Sequence, residues 1–348
     1  MRYFLLFFLG LGLSANSIQA QSIGTEWPTA TPDSQGYDGK ALAGLNEYIA
    51  ENAATTGMVV IVNGKMIHDY GNITQLSYLA SCRKSVLSML YGIYTDRGKI
   101  DLTKTLSDMD IDDRQKLSDQ EKTATIDNII NSSSGIYHPA SNPGDNLASA
   151  PARGSQKPGS YFLYSNWDFN AAGGIFEKET GVDIFDAVEE ELARPLGMQD
   201  FKRSRQRKSG NLNRSVFPAY HMWFSTRDMA RLGQLMLQKG QWNGKQLISE
   251  SWIKKSTSVV TPVEKMNPTP LRQGEFGYAY MWWIWDDQED DLGVFKGAYT
   301  ARGAYGQYIT VMPELQMVVA HKTNPRNGRT QWNTYREILR KLVAAKSL

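Results

Sequence analysis

Between Asp38 and Ala53 the apolar residues Leu42, Leu45 and Ile49 recur every three or four positions, the spacing that gathers them on one side of a helix. The next stretch, GMVVIVNGKMIHDYG, reads as two strands around Asn63-Gly64, a pair suited to a two-residue hairpin turn because both residues accept positive φ. A second helical stripe, Val86, Leu90 and Ile93, follows Ser81, with Gly98 placed to stop it. From about Asp101 to Ser251 the pattern is mostly helical with long loops. The Gly-, Pro- and Ser-rich run from Ala140 to Ser160 is a loop rather than a linker, since strongly patterned sequence flanks it. Ser225, with Asp228 three residues on, has the form of a helix cap, and Met229, Leu232, Leu235 and Met236 make the buried face behind it. Nearer the C-terminus, GYAYMWWIW reads as one aromatic strand, and GAYGQYITVMPELQMVVAHKT as strand, Pro-Glu turn, strand; WNTYREILRKLVAA is a final helix.

Strands at both ends and helices between them predict an α+β fold, with one sheet built from the two ends of the chain. The expected division is residues 21–75 with 255–348 in the sheet-bearing part and 76–254 in an inserted, mostly helical region. The basic run Lys202 to Arg214 is expected to be a solvated loop without strand pattern.

Composition narrows the setting. A chain of 348 residues, 41% hydrophobic and 21% charged, can form a packed core. Arg2, the apolar run Tyr3 to Leu13 and the small residue Ala20 have the order of a secretory signal peptide spanning residues 1–20. The apolar run is too short to cross a bilayer, and no cysteine follows it to carry a lipid, so a periplasmic or secreted protein without a stable membrane anchor is expected. Loss of Arg2 with that segment leaves 37 basic and 36 acidic residues, a balance that calls for no nucleic-acid partner. One cysteine, Cys82, makes no internal disulfide. The four histidines are too scattered to predict a metal site, and no cofactor is expected.

The candidate chemistry lies in three places. S-x-x-K occurs twice, at Ser81–Lys84 and Ser251–Lys254. Residues three apart share a helix face, and a helix N-terminus favours a serine alkoxide and a neutral amine. Ser81 opens a clean apolar helix, whereas Ser251 opens one rich in surface lysines and reads as an ordinary polar helix end. Y-x-N occurs at Tyr164–Asn166, with a second copy at Tyr70–Asn72; a phenol beside a lysine can serve as general base, and the asparagine amide can hold both Lys84 and a substrate carbonyl. Gly303, in ARGAYGQYITV, lets a strand edge approach a ligand, so that a main-chain N–H there and that of Ser81 can form an oxyanion hole. His138 on its loop, His221 and Trp223 are further candidates to line the cleft. Cys82, a helix position away from Ser81, reads as a small buried residue.

S-x-x-K, then Y-x-N, then a glycine-bearing strand is an order that resembles the class C β-lactamase-related serine hydrolases. PGSYFLYSNWDFNAAGGIFEKETG, ELARPLGM and YGQYITVMPEL also look like segments of that family, which includes class C β-lactamases, DD-peptidases, esterases and 6-aminohexanoate-dimer hydrolases. The resemblance implies a β-lactamase/transpeptidase-like fold. It makes Ser81 the acylated nucleophile, Lys84 and Tyr164 its proton-transfer partners, Asn166 a support and Ala304 the second oxyanion N–H. K-T-G on the third strand is replaced here by Ala301-Arg302-Gly303, which removes a lysine suited to a penicillin carboxylate. A Lys208-Ser209-Gly210 sits in the basic loop and reads as chance. SCRKS and PAYHMWFSTRDMARLG look nearest the 6-aminohexanoate-dimer hydrolases. The resemblance therefore implies hydrolysis of a small ester or amide through an acyl-enzyme, with a penicillin-interacting DD-peptidase or β-lactamase, or a catalytically silent sensor on the same fold, as alternatives.

Overall fold

The computed structural model describes residues 23–286 and 293–347; residues 1–20, read above as a signal peptide, lie outside them. In chain order the elements are α1 (Gly39–Asn52), β1 (Gly57–Val62), β2 (Lys65–Gly71), β3 (Ser77–Tyr78), α2 (Cys82–Asp96), α3 (Asp119–Lys122), α4 (Ile126–Ile130), α5 (Asn166–Thr180), α6 (Ile184–Val188), β4 (Arg207–Ser209), β5 (Ala219–His221), β6 (Trp223–Phe224), α7 (Thr226–Leu237), β7 (Gln241–Trp242), β8 (Lys245–Gln246), α8 (Glu250–Ser256), β9 (Phe276–Ala279), β10 (Trp282–Trp285), β11 (Tyr299–Gly303), β12 (Gln307–Met312), β13 (Met317–Lys322) and α9 (Trp332–Ala344).

The principal sheet has seven antiparallel strands in the order β2-β1-β13-β12-β11-β10-β9. It joins the two ends of the chain: β1 pairs with β13 from Gly57↔Lys322 to Val62↔Met317. All six residues of β1 are buried because the sheet is covered on both faces. Met58, Val60 and Val62 pack with Leu42, Leu45 and Ile49 of α1 and Ile338, Leu339 and Leu342 of α9. Val59 and Ile61 face the other way, into the larger core built from α2, α5 and α7. The hairpin turn forms at Asn63 and Gly64, both with positive φ (50° and 76°).

Two expectations need correcting. GYAYMWWIW is a hairpin, not one strand: β9 turns into β10 through Tyr280 and Met281, both left-handed at φ 40° and 69°. Neither residue announces such a turn. It is held from outside, by Asn131 Oδ1 accepting from Tyr280 N (2.8 Å), Asp127 Oδ1 accepting from Tyr280 Oη (2.6 Å) and Ser85 Oγ donating to Met281 O (2.7 Å). Arg207–Ser209 in the basic run forms the short strand β4 against β5. The Ser225 cap is real, its Oγ accepting from Asp228 N at 3.1 Å, but Asp228 turns away to accept from Gln199 N and Asp200 N instead of closing a capping box.

Candidate active site

The chain enters α2 through a forced bend. Ala80 sits in the left-handed region at φ 49°, and Ser81 caps the helix without using its side chain as a cap acceptor. Its Oγ is therefore left for other work, at a helix start where unpaired N–H groups and the macrodipole favour negative charge. Lys84, one turn on, is fully buried, 1% exposed. Its Nζ lies 2.6 Å from the Tyr164 hydroxyl and donates to Asn166 Oδ1 at 2.9 Å. The phenol, the amine and the S-x-x-K helix, distant in sequence, thus meet at one place.

Asn166 is oriented by a neighbouring loop. Its Nδ2 donates to Pro143 O (3.0 Å) and its main-chain N to Asp145 Oδ2 (3.0 Å), which leaves Oδ1 facing Lys84. The lysine amine also lies against the Tyr164 and Phe169 rings, 4.0 and 4.1 Å from their centres. Burial, reinforced by the Arg83 charge and only partly opposed by Asp145, holds Lys84 well below the ordinary lysine range. Burial raises Tyr164 to about 12, against the lowering pull of the Ser81 hydroxyl and Arg83. An amine biased toward its neutral form, in hydrogen-bond contact with a phenol, is an arrangement able to take a proton from a serine.

Gly303 closes the opposite side. A Cβ there would lie 2.8 Å from Leu79 O and 3.1 Å from Ser81 N, so the strand passes directly over the serine amide, and only glycine allows it. β10 pairs with β11 at Tyr299 and Thr300, and Ala301–Gly303 continue beyond that pairing. Ala304 is exposed and begins the turn after β11. Arg302 points into an aromatic cage, its guanidinium 4.8, 4.7 and 4.6 Å from the ring centres of Phe276, Trp283 and Trp332; Trp283 also packs 5.6 Å from the Tyr164 ring.

The remaining candidates separate. His221 and Trp223 come to the Ser81 side, both half-buried against Tyr78, which precedes the serine by three residues: His221 Nδ1 lies 3.0 Å from Tyr78 Oη, and β3 pairs Tyr78 with Trp223. Burial and the charges of Arg83 and Arg207 lower His221 to about 4, so the ring is neutral. His138 does not border the cleft. It is buried, 1% exposed, with Nε2 3.2 Å from Glu121 Oε1 and its ring against Trp167; the buried carboxylate of Glu121, also held by Arg153, draws the imidazole inward. Cys82 is sealed, its Sγ donating to Gln307 O at 3.2 Å, and burial pushes its thiol up, away from nucleophilic use. Ser251 and Lys254 are exposed on α8, and Lys208 is engaged by Glu177 and Asp183. The reading of the sequence missed Tyr78, the Pro143–Asp145 clamp and the burial of Arg83. Tyr78 carried a signal in its nearness to Ser81; a main-chain carbonyl such as Pro143 O carries none.

Among the described residues no group of three or more His, Cys, Asp or Glu side chains could hold a metal ion, and no helix is long and apolar enough to cross a membrane.

Residues 45–341 match the family model described as Beta-lactamase. The chain belongs to that family, and with it to the serine hydrolases built on the β-lactamase/transpeptidase-like fold. Among solved structures it is similar to a protein described as a 6-aminohexanoate-dimer hydrolase from Bacillus anthracis (20% identical, TM-score 0.67, covering 92% of this chain and 87% of that one). It is likewise similar to a penicillin binding protein from Bacillus halodurans (15%, TM-score 0.62, 86% and 99%). The same fold recurs in EstCE1, a hydrolase with promiscuous acyltransferase activity (15%, TM-score 0.62, 87% and 97%). An uncharacterized protein of Alkalihalophilus pseudofirmus is 26% identical over 110 residues, which is 30% of either chain.

Proposed function

We propose that this serine hydrolase cleaves a small ester or amide through an acyl-enzyme on Ser81. The observation that carries the reading is the contact of a buried Lys84 amine with the Tyr164 hydroxyl at 2.6 Å, one helical turn from the serine. In the proposed cycle the Ser81 proton passes to the Lys84–Tyr164 pair as Oγ attacks the carbonyl carbon. The N–H groups of Ser81 and Ala304 receive the oxyanion. Tyr164 returns a proton to the leaving alcohol or amine as the C–O or C–N bond breaks, and water hydrolyses the acyl-serine with the pair again as base.

The replacement of the K-T-G lysine by Ala301, with Arg302 held among three rings, supports esters and amides over penicillins. So does the similarity to a protein described as a 6-aminohexanoate-dimer hydrolase. Incubation with a fluorophosphonate probe should label the wild type and leave Ser81→Ala unlabelled, and p-nitrophenyl esters should be hydrolysed far faster than nitrocefin. Absence of label on the folded wild type would end the hydrolase reading; efficient turnover of nitrocefin would replace it by a β-lactamase. The order of residues 1–20 supports export, which N-terminal sequencing of the mature protein would test.

A further inference from the structure

Arg83 lies between Ser81 and Lys84, and the cycle above gives it nothing to do. It is nonetheless among the largest fully buried side chains, 2% exposed. Its Nη2 donates to Asn170 Oδ1 of α5 at 3.1 Å, and its guanidinium lies over the Tyr220 ring of β5, 4.7 Å from the centre. Its Nε finds no acceptor, and among the described residues no carboxylate lies within ion-pair distance. A guanidinium keeps its charge at any working pH. Sealing one away without a counter-charge is costly, and an apolar residue of similar volume would avoid the cost. Such a violation of ordinary burial, one residue from the reactive lysine, points to use.

We propose that Arg83 is a positioning residue of the Ser81 chemistry, a sealed and uncompensated positive charge that keeps the neighbouring Lys84–Tyr164 pair in its reactive form. The proposal rests on the acyl-enzyme reading. Around the pair are Cys82 and Arg83 from α2, Asp145 from the loop, Phe169 from α5, Tyr220 from β5, Tyr278 from β9, Trp283 from β10 and Arg302 from β11, with Asp168 of α5 behind Tyr278. Burial pushes Asp168 well up, toward its uncharged form, and at Lys84 it is Asp145 whose negative charge opposes Arg83. After burial, Arg83 is the first influence lowering Lys84, and it also lowers Tyr164, Tyr78, Tyr220 and His221. A positive neighbour disfavours the ammonium at Lys84 and favours a phenolate at Tyr164, so the same charge eases both halves of the proton transfer. Asn170 suits this purpose: it is a neutral acceptor, and its Nδ2 donates to Asn142 Oδ1 (2.8 Å) in the loop that orients Asn166.

The experiment follows the rate of fluorophosphonate labelling of Ser81 against pH in the full protein, comparing wild type with Arg83→Met, Arg83→Lys and Asn170→Asp. In wild type the rate rises with pH as the pair loses its proton. Arg83→Met removes the charge and should move that rise upward by roughly one pH unit, about tenfold slower labelling at a pH on the slope. Arg83→Lys keeps a charge and should stay near wild type. Asn170→Asp keeps the guanidinium, its hydrogen bond and the volume, gives up the Nδ2 donations to Asn142 Oδ1 and Ser141 Oγ, and supplies a counter-charge. It should move the rise upward as Arg83→Met does, and it decides the matter if Arg83→Met does not fold. A merely structural Arg83 would be held more firmly by the carboxylate that Asn170→Asp introduces, and the profile would stay in place. An unmoved profile in Asn170→Asp, or an equal displacement in Arg83→Lys and Arg83→Met, overturns the proposal while leaving the acyl-enzyme reading intact. Absence of wild-type labelling sinks both.

Discussion

At the scale of single residues the site works by putting ordinary groups in unordinary surroundings. Lys84 is a poor base in water; burial, with Tyr164 Oη and Asn166 Oδ1 as partners, shifts it toward the neutral amine that the proposed cycle uses as a base. Lys84→Ala and Tyr164→Phe should each lower kcat/KM for a p-nitrophenyl ester by about 10²- to 10⁴-fold with little change in fold, checked by steady-state kinetics beside circular dichroism. Ser81, Lys84, Tyr164 and Asn166 were legible because each motif pairs reactive side-chain types at fixed spacing. The role of His138 was not. A histidine in a Gly-Ile-Tyr-His-Pro loop says nothing about Glu121, seventeen positions earlier, whose buried carboxylate takes it out of the cleft.

Elements add what no residue supplies alone. β11 must run over the Ser81 amide, and Gly303 is the residue that permits it. Of the atoms a Cβ would meet, Leu79 O and Ser81 N are backbone and Gln307 Cβ is fixed to its own backbone, so none can swing aside. Gly303→Ala should therefore cut kcat/KM at least about 100-fold, because it displaces the N–H groups proposed to bind the carbonyl, and should cost roughly 1–3 kcal/mol in denaturant unfolding. The β3–β6 pair beside the site is tied to the sheet by Lys322, whose buried Nζ donates to Ser77 O at 2.8 Å and to Phe224 O. Burial lowers this amine to about 7. Between about pH 7 and the unfolded value near 10.4 the unfolded chain binds the extra proton, so the group makes stability rise with pH across that window, by up to about 1.4 kcal/mol per unit. Urea titrations from pH 7 to 10 should show a slope that is smaller by this amount in Lys322→Met. Hairpin β1–β2 and helix α1 were legible from periodicity. The β9–β10 hairpin was not, because side chains from α2 and α4 hold its turn in place of a Gly or Asn.

Over the whole molecule, one sheet carries the two ends of the chain and two cores, and α7 locks onto it where Gly233 lets the helix lie against Val318 and Ile309. A Cβ there would come within 2.4 Å of Val318 Cγ1 and 2.9 Å of Ile309 Cγ2. Gly233→Ala should cost about 1–3 kcal/mol, with tryptophan fluorescence and circular dichroism midpoints moving together, since α7 belongs to the core that also holds α2 and α5. What the sequence by itself determined was local and repetitive: the α1 stripe, the Asn63-Gly64 turn, the order strand, helix, strand, and the reactive residue types in S-x-x-K and Y-x-N. Periodicity and turn chemistry act over a few residues, so they are readable without a fold. Only the tertiary structure decided which of two S-x-x-K pairs is buried beside a phenol, which histidine turns inward, and that Arg83 stands without a counter-charge among the described residues. Solvation and charge depend on everything within several ångströms, and in a packed chain most of those neighbours come from far along the sequence.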